Sequence, residues 1–396
     1  MPKTLHVRLA FQMFLQFFIW GSYFVTLGTY LLTTLHFSGQ EVGLVYGTTA
    51  IAAMVSPFLL GMLADRHFPV EKLLSILNLS GAALLLSASY FETFWPFYPL
   101  ILLYTFTYMP TFSLNAALCF HHLQRPTRDF PRVRSLGTFG WIVAGLLVGY
   151  LDIETEVTPM YIGAGASFFA GIYSLTLPKT PPQGNKVSMR DWIGPEVRKL
   201  FRDRSFTILM LIMVLVSIPI AFYYSFVNPY LNEIGIENAA GKMSLGQVSE
   251  IMFMLILPWF INRFGLKVTI FIGLFTWGAR YLLFAYGDSG DLSWVIYTAI
   301  LLHGLAFVFS GLSVQIYLNE RVPVSLRSTA QGFYTFLTLG LGTLIGSFLA
   351  GNVVTLFTTS SGAFLWQKIW YVPSAIGILV SIYFVLRFKA GKVKVE

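Results

Sequence analysis

The sequence predicts an all-α membrane protein of twelve transmembrane helices in two six-helix halves, and three observations lead there. First, 56% of the 396 residues are hydrophobic and only 11% are charged, with a mean hydropathy of +0.68. Soluble domains run near 25% charged. Second, the apolar residues fall in runs of about 20 without alternation, which is the length of a helix across a bilayer and not the pattern of a membrane barrel. Third, short basic motifs recur about half a chain apart. Asp65-Arg66 ends one run and Asn262-Arg263 ends another, 197 residues on; Arg134-Ser135 and Arg327-Ser328 open runs 193 residues apart. A parallel duplication of a six-helix unit produces such offsets.

The spans fall at 9–33, 41–64, 72–91, 96–120, 131–151, 158–178, 205–231, 243–261, 267–286, 293–318, 327–352 and 367–388. The expected organisation is a bundle over 1–178, a cytoplasmic linker over 179–204 and a second bundle over 205–396. The first run, Leu9–Leu32, lacks the short apolar core and small-residue cleavage site of a signal peptide, so it is expected to remain as an anchor. Of 26 Lys and Arg, only Lys242 and Lys368 fall in odd-numbered loops, and Arg280 lies inside a span. Asp152, Glu154, Glu156, Glu233, Glu237, Asp288 and Asp291 fill those odd loops. The positive-inside rule then puts both termini in the cytoplasm, and the net charge of +8 is loop bias, not a nucleic-acid surface. Cys119 is the sole cysteine, which excludes intrachain disulfides. The linker opens with Pro181-Pro182-Gln183-Gly184. Further on, over Glu196–Arg204, Val197, Leu200 and Phe201 share a face. A short helix on the inner membrane surface and a solvated loop both fit that pattern.

One charge stands out against this frame. Met243–Ile261 is almost wholly apolar and about 28 Å long as a helix, yet it contains Glu250, with Gln247 one turn earlier. A charge in mid-membrane costs at least about 2.5–3.5 kcal/mol, so Glu250 faces protein or water and not lipid. The other acidic residues fall in loops, tails or span ends. Glu250 is a candidate proton site, because a carboxyl in a cavity that opens alternately can load and release a proton. A structural carboxylate bonded between helices is the alternative.

Several other side chains could contact a polar aromatic ligand. Arg134 lies near the start of the fifth span, with Thr138 and Trp141 at i+4 and i+7 on the same face. A bidentate donor, a hydroxyl and a flat ring on one stripe suit such a ligand; snorkelling of Arg134 to the headgroups is the alternative. Tyr224 and Asn228 in the seventh span, and His303 and Phe307 in the tenth, repeat the i, i+4 spacing. With 37 Phe and 20 Tyr in the chain, most rings must pack or face lipid, so each of these is open between stacking on a base and packing. Gln12 and Gln16 share a face and either line a cavity or bond between helices. Arg280 is expected to be structural or to snorkel.

These motifs carry a resemblance. The Gly61-Met-Leu-Ala-Asp65-Arg66 loop, the helix count and the basic central loop resemble the major facilitator superfamily, although His67-Phe68-Pro69 replaces the basic residues usual after that loop motif. More narrowly, the chain is similar to the bacterial nucleoside:proton symporters. The similarity rests on Phe14-Leu-Gln-Phe with Trp20-Gly-Ser and Thr26-Leu-Gly, Tyr108-Met-Pro-Thr, Asp129-Phe-Pro with Arg134, Gln247-Val-Ser-Glu250, Phe284-Ala-Tyr-Gly-Asp and Arg327-x-x-Ala-Gln-Gly332. The resemblance implies two six-helix bundles around a central cavity and import of a nucleoside with protons across the bacterial cytoplasmic membrane. On this reading Glu250 is the candidate for the proton, Gln247 and Arg134 for polar contacts to base or ribose, and Trp141, Phe307 and Tyr224 for the ring, with Thr138, Asn228 and His303 as further candidate substrate contacts. The family often has an acid after the tenth-span Phe, where this chain has Val308. That departure keeps uncoupled facilitation open, and a sugar:proton symporter of the same fold is the other reading within transport.

The sequence also argues against other classes. It has no Gly-rich phosphate loop, no Cys/His metal constellation and no Ser/His/Asp cluster within the spans. An intramembrane enzyme would need such a cluster, and a receptor would not explain the duplication. His121-His122 are expected in a loop. The expected partners are a nucleoside, protons and the lipid bilayer, with no cofactor and no nucleic acid, and the carrier is expected to be monomeric.

Overall fold

Proline opens several of the helices, side-chain caps open two, and Gly265 bends one. The computed structural model describes residues 3–63, 68–181 and 195–389. Asp65, Arg66 and His67 of the loop motif, and Pro182-Gln183-Gly184 of the linker, lie outside the described residues. The first half holds α1 (Lys3–Tyr23), α2 (Gly39–Leu63), α3 (Val70–Ala88), α4 (Phe94–His122), α5 (Pro126–Tyr150) and α6 (Thr158–Ser174). After the linker come α7 (Pro195–Phe201), α8 (Arg204–Glu233), α9 (Ala239–Tyr286), α10 (Ser293–Phe307) and α11 (Ser313–Arg321). The chain ends with α12 (Arg327–Thr335), α13 (Thr343–Leu356) and α14 (Trp366–Arg387).

Local chemistry sets these bounds. Before α2, Ser38 and Glu41 form a capping box: the Glu41 carboxylate accepts the Ser38 N–H at 2.8 Å, and Ser38 Oγ accepts the Glu41 N–H at 3.3 Å. Asp203 caps α8, its Oδ1 accepting the Phe206 N–H at 2.8 Å. The helix α9 bends at Gly265, whose φ of 80° and ψ of 161° suit glycine alone, so the expected spans 243–261 and 267–286 are the two arms of one element. Wider π turns at Tyr30–Thr34, Val308–Leu312 and Phe336–Gly342 carry three apolar runs through without a break. Among the described residues, eight helices are long and apolar enough to cross a membrane, and the only strand-like pairing is one bridge between Thr358 and Phe364.

The chain divides into two compact units: Met1–Val187 with Glu237–Ser244, and Ser188–Ile236 with Leu245–Glu396. In the first, α1 lies on α5 and α6, α3 on α4 and α6, and α2 on α4. Glycine permits the closest of these approaches. A Cβ on Gly140 would strike the Phe14 carbonyl, and one on Gly21 would stand 3.0 Å from the Trp141 backbone. The opening turns of α9 join this unit, where Glu154 Oε1 accepts the Ala240 N–H at 2.8 Å. In the second unit α8 packs on α13 and α14, and Gly278 meets Gly377 backbone to backbone at 2.6 Å from a notional Cβ.

Two expectations change on sight of the fold. His121 and His122 form the last turn of α4 instead of a loop. His122 Nε2 lies 2.8 Å from Thr180 Oγ1, and the Thr180 N–H donates to Glu71 Oε2 at 2.8 Å, so the turn is tied to the chain leaving α6. Burial, then the neighbouring His121, lower the His122 pKa below the ordinary histidine value. Within Glu196–Arg204 the chain is helical only to Phe201, as α7, and its apolar face covers protein: Leu200 is buried and the Phe201 ring lies 5.3 Å from Phe333 and 5.4 Å from Phe206.

Candidate functional site

Glu250 stands on the first arm of α9, where every neighbour but Gln247 and Ser249 is apolar. Met252, Leu255 and Trp259, at i, i+3 and i+7, form the exposed face of that arm. Glu250, itself half-buried, is about 200° around the helix from Met252, and Met254 one turn after it is exposed. Partner helix α10 approaches closely on this side because Gly246 and Gly304 leave room. A Cβ on Gly304 would run into the Glu250 backbone nitrogen, and one on Gly246 would sit 3.2 Å from the His303 Cβ. Ser249 Oγ accepts the Gly304 N–H at 3.0 Å and donates to the Gly246 carbonyl at 2.7 Å, stitching the two helices. Gly304→Ala is therefore expected to cost about 1–3 kcal/mol by overpacking. Thermal unfolding in detergent should show a lowered midpoint, and an unchanged midpoint would mean that the helices separate freely.

Immediately before Gly304 on α10, and against Gly246, stands His303, fully buried. Its ring stacks on Tyr223 at 4.6 Å and 20°, with Phe307 stacked behind at 5.8 Å and Trp277 edge-on at 5.7 Å. Tyr224 meets His303 edge-on at 6.3 Å and lies within electrostatic reach of Glu250. Arg280, from the second arm of α9, is fully buried beside them. Its Nη1 is 3.0 Å from His303 Nδ1, its Nε donates to the Ala299 carbonyl at 3.0 Å, and its guanidinium lies 4.3 Å over the Tyr223 ring. Arg280 thus does not snorkel. Trp277 at i−3 and Phe284 at i+4 flank it, and rings and hydrogen bonds replace the headgroup it would otherwise seek.

In the first unit the Arg134 guanidinium lies 3.9 Å over the Phe17 ring, an approach that Gly137 leaves open. Thr138 is half-buried one turn on. Trp141 is buried, edge-on to Trp20 at 5.4 Å, and the Trp20 indole nitrogen is buried without a hydrogen-bond partner among the described residues. Arg132 is exposed. Gln16 bonds between helices, donating to Thr111 Oγ1 at 2.7 Å and accepting from Asn115 at 2.9 Å, with the Tyr108 hydroxyl on its carbonyl. Gln12 differs. Its carboxamide is buried with neither end paired among the described residues.

The structure therefore gathers Tyr224, Gln247, Glu250, His303 and Phe307 on facing helices of the second unit, and Arg134, Thr138 and Trp141 on one stripe of the first. Asn228 is buried one turn beyond Tyr224, accepting from Asn232 at 3.0 Å through its carbonyl. Val308 is buried with Leu257 and Phe309 in an apolar cluster. The sequence does not mark Tyr223 or Trp277 as site residues, and it marks Trp20 only through the Trp20-Gly-Ser motif. The sequence places Trp277 and Phe284 at i−3 and i+4 of Arg280, but only the fold shows their rings gathered around the guanidinium.

A carboxylate, an imidazole, a carboxamide and several rings in an apolar helix pair can take up a proton and hold a flat polar molecule. Comparison with known proteins points the same way. The nucleoside H+ symporter family profile matches residues 3–392. The chain belongs to the nucleoside:proton symporter family. The putative nucleoside transporter YegT of Escherichia coli (strain K12) is 38% identical, covering 96% of this chain and 93% of that protein. The xanthosine permease of the same strain is 31% identical, covering 98% and 96%. A crystal structure of the nucleoside transporter NupG superposes with a TM-score of 0.90 at 30% identity, covering 98% of this chain and 100% of that one. A bacterial homolog of the lysosomal transporter Spinster, at 12% identity, superposes with a TM-score of 0.76, a likeness of fold alone. The fold is the major facilitator fold, and this nucleoside:proton symporter family member is a multi-pass membrane transporter.

Proposed function

We propose that the protein imports nucleosides across the bacterial cytoplasmic membrane together with protons, by alternating access, as a monomer with both termini in the cytoplasm. Twelve spans in two six-helix bundles, over 1–178 and 205–396 with the linker between, are the architecture this reading requires. Glu250 carries the proton. Gln247, Asn228, Thr138 and Arg134 supply polar contacts to the base or ribose, and Trp141, Tyr224, His303 and Phe307 supply stacking and edge contacts. No covalent chemistry is assigned to the chain.

The observation that carries this reading is Glu250 itself: a half-buried acid in an apolar span, set against a glycine contact with the helix that bears His303 and Phe307. A carboxylate there is costly, and a proton-coupled carrier of an uncharged polar substrate gives it a use. The buried Val308 leaves one carboxylate at this locus, so one proton per nucleoside is the expected stoichiometry. Counterflow in proteoliposomes tests the substrate. Labelled uridine and adenosine should exchange against their unlabelled forms while lactose does not, and exchange of lactose alone would make the protein a sugar carrier.

A further inference from the structure

Arg280 has no part in the substrate contacts described above, yet it is buried against one of their members. A guanidinium only donates hydrogen bonds. With Arg280 Nη1 at 3.0 Å, His303 Nδ1 must be the acceptor, and a ring nitrogen that accepts carries no proton. A doubly protonated ring would set a donor against a donor and a cation against a cation. The neutral ring therefore bears its hydrogen on Nε2. The second anchor of Arg280, on the Ala299 carbonyl one turn before His303, fixes the guanidinium against the same helix. Tyr223 and Phe307 both stack on the imidazole and Trp277 meets it edge-on, so the ring plane is set as well.

The result is a directed N–H with nothing to donate to: His303 Nε2 is buried and has no hydrogen-bond partner among the described residues. A buried donor without an acceptor is unfavourable until one arrives. Nucleosides offer acceptors in carbonyl oxygens, ring nitrogens and ribose oxygens. We propose that Arg280 is a positioning residue, which holds His303 in its Nε2–H form and so reserves one aimed donor for an acceptor atom of the nucleoside. This rests on the reading of the site given above, and it gives Arg280 a task without contact to the substrate.

Two measurements on the full chain in nanodiscs test it. In protein labelled with 15N-histidine, the His303 signals, assigned by their loss in His303→Phe, should show a bare Nδ1 and a protonated Nε2, and the Nε2 signal should move on adding uridine. By calorimetry, Arg280→Met should weaken uridine binding about tenfold, while Arg280→Lys, which keeps a donor, recovers most of the loss. In a His303→Phe background Arg280→Met should cost nothing more. A protonated Nδ1 in the wild type would overturn the proposal. So would equal losses from Arg280→Met in both backgrounds, which mark a merely structural arginine. Should Arg280→Met fail to fold, the wild-type spectrum and the lysine variant decide. His303→Phe binding uridine like the wild type, while Arg134→Ala does not, sinks this inference and spares the function. A wild type that binds no nucleoside, its tautomer signal intact, sinks both.

Discussion

Glu250→Gln is expected to abolish concentrative nucleoside uptake while leaving exchange across the membrane largely intact. Accumulation against a gradient needs a group that gains a proton on one side and loses it on the other. Exchange needs only binding and reorientation. Glutamine keeps the size and hydrogen-bonding reach of the side chain and removes the titration, so the two activities should separate. The packing supports this choice of variant: Glu250 is half-buried and its backbone bears on Gly304, where a larger change would disturb the contact between α9 and α10. Uptake driven by an imposed pH gradient, measured beside equilibrium exchange in the same proteoliposomes, reads both at once. Full gradient-driven accumulation by the variant would remove Glu250 from the proton role and require another acid.

Arg134→Ala is expected to weaken nucleoside binding by about 2 kcal/mol, roughly thirtyfold, whereas Arg132→Ala should stay within about twofold. The two residues are separated by less than one turn and point to different sides of α5. Arg132 is exposed, while Arg134 is drawn over the Phe17 ring beside the stripe of Thr138 and Trp141. The ring fixes the guanidinium, so its donors are already oriented when a substrate arrives. Calorimetric titration of both variants with uridine checks the pair. Equal and small losses would reduce Arg134 to a cation of the membrane surface.

Much of this was legible in the sequence, for physical reasons that differ from residue to residue. Glu250 is legible because a lone acid in an apolar span is expensive whatever surrounds it. Arg134 with Thr138 and Trp141 is legible from helical spacing, and the stripe stands. For Arg280 the sequence leaves a structural and a snorkelling role open, and the fold shows the structural one. An arginine in a span seeks either headgroups or rings and carbonyls, and the spacing alone does not say which until Trp277, Tyr223 and His303 are seen together. Gln12 and Gln16 share one face, yet only Gln16 found partners on α4, because Thr111 and Asn115 come from nearly 100 residues away. The two expected spans 243–261 and 267–286 stand on either side of Gly265, whose non-helical φ and ψ set the kink between them. Of the histidine pair at the end of α4, the sequence showed only polarity; the tie through Thr180 to Glu71 is tertiary.

The central claim is that a nucleoside and a proton cross together, and the most direct measurement follows the proton. Proteoliposomes are loaded with a pH-sensitive dye, with no pH gradient imposed, and uridine is added outside. The account predicts that the lumen acidifies as uridine enters, in proportion to the uridine taken up, and that Glu250→Gln shows uridine equilibration without acidification. Uridine entry into wild-type vesicles with no change in lumenal pH would contradict it, leaving an uncoupled facilitator in which Glu250 is structural.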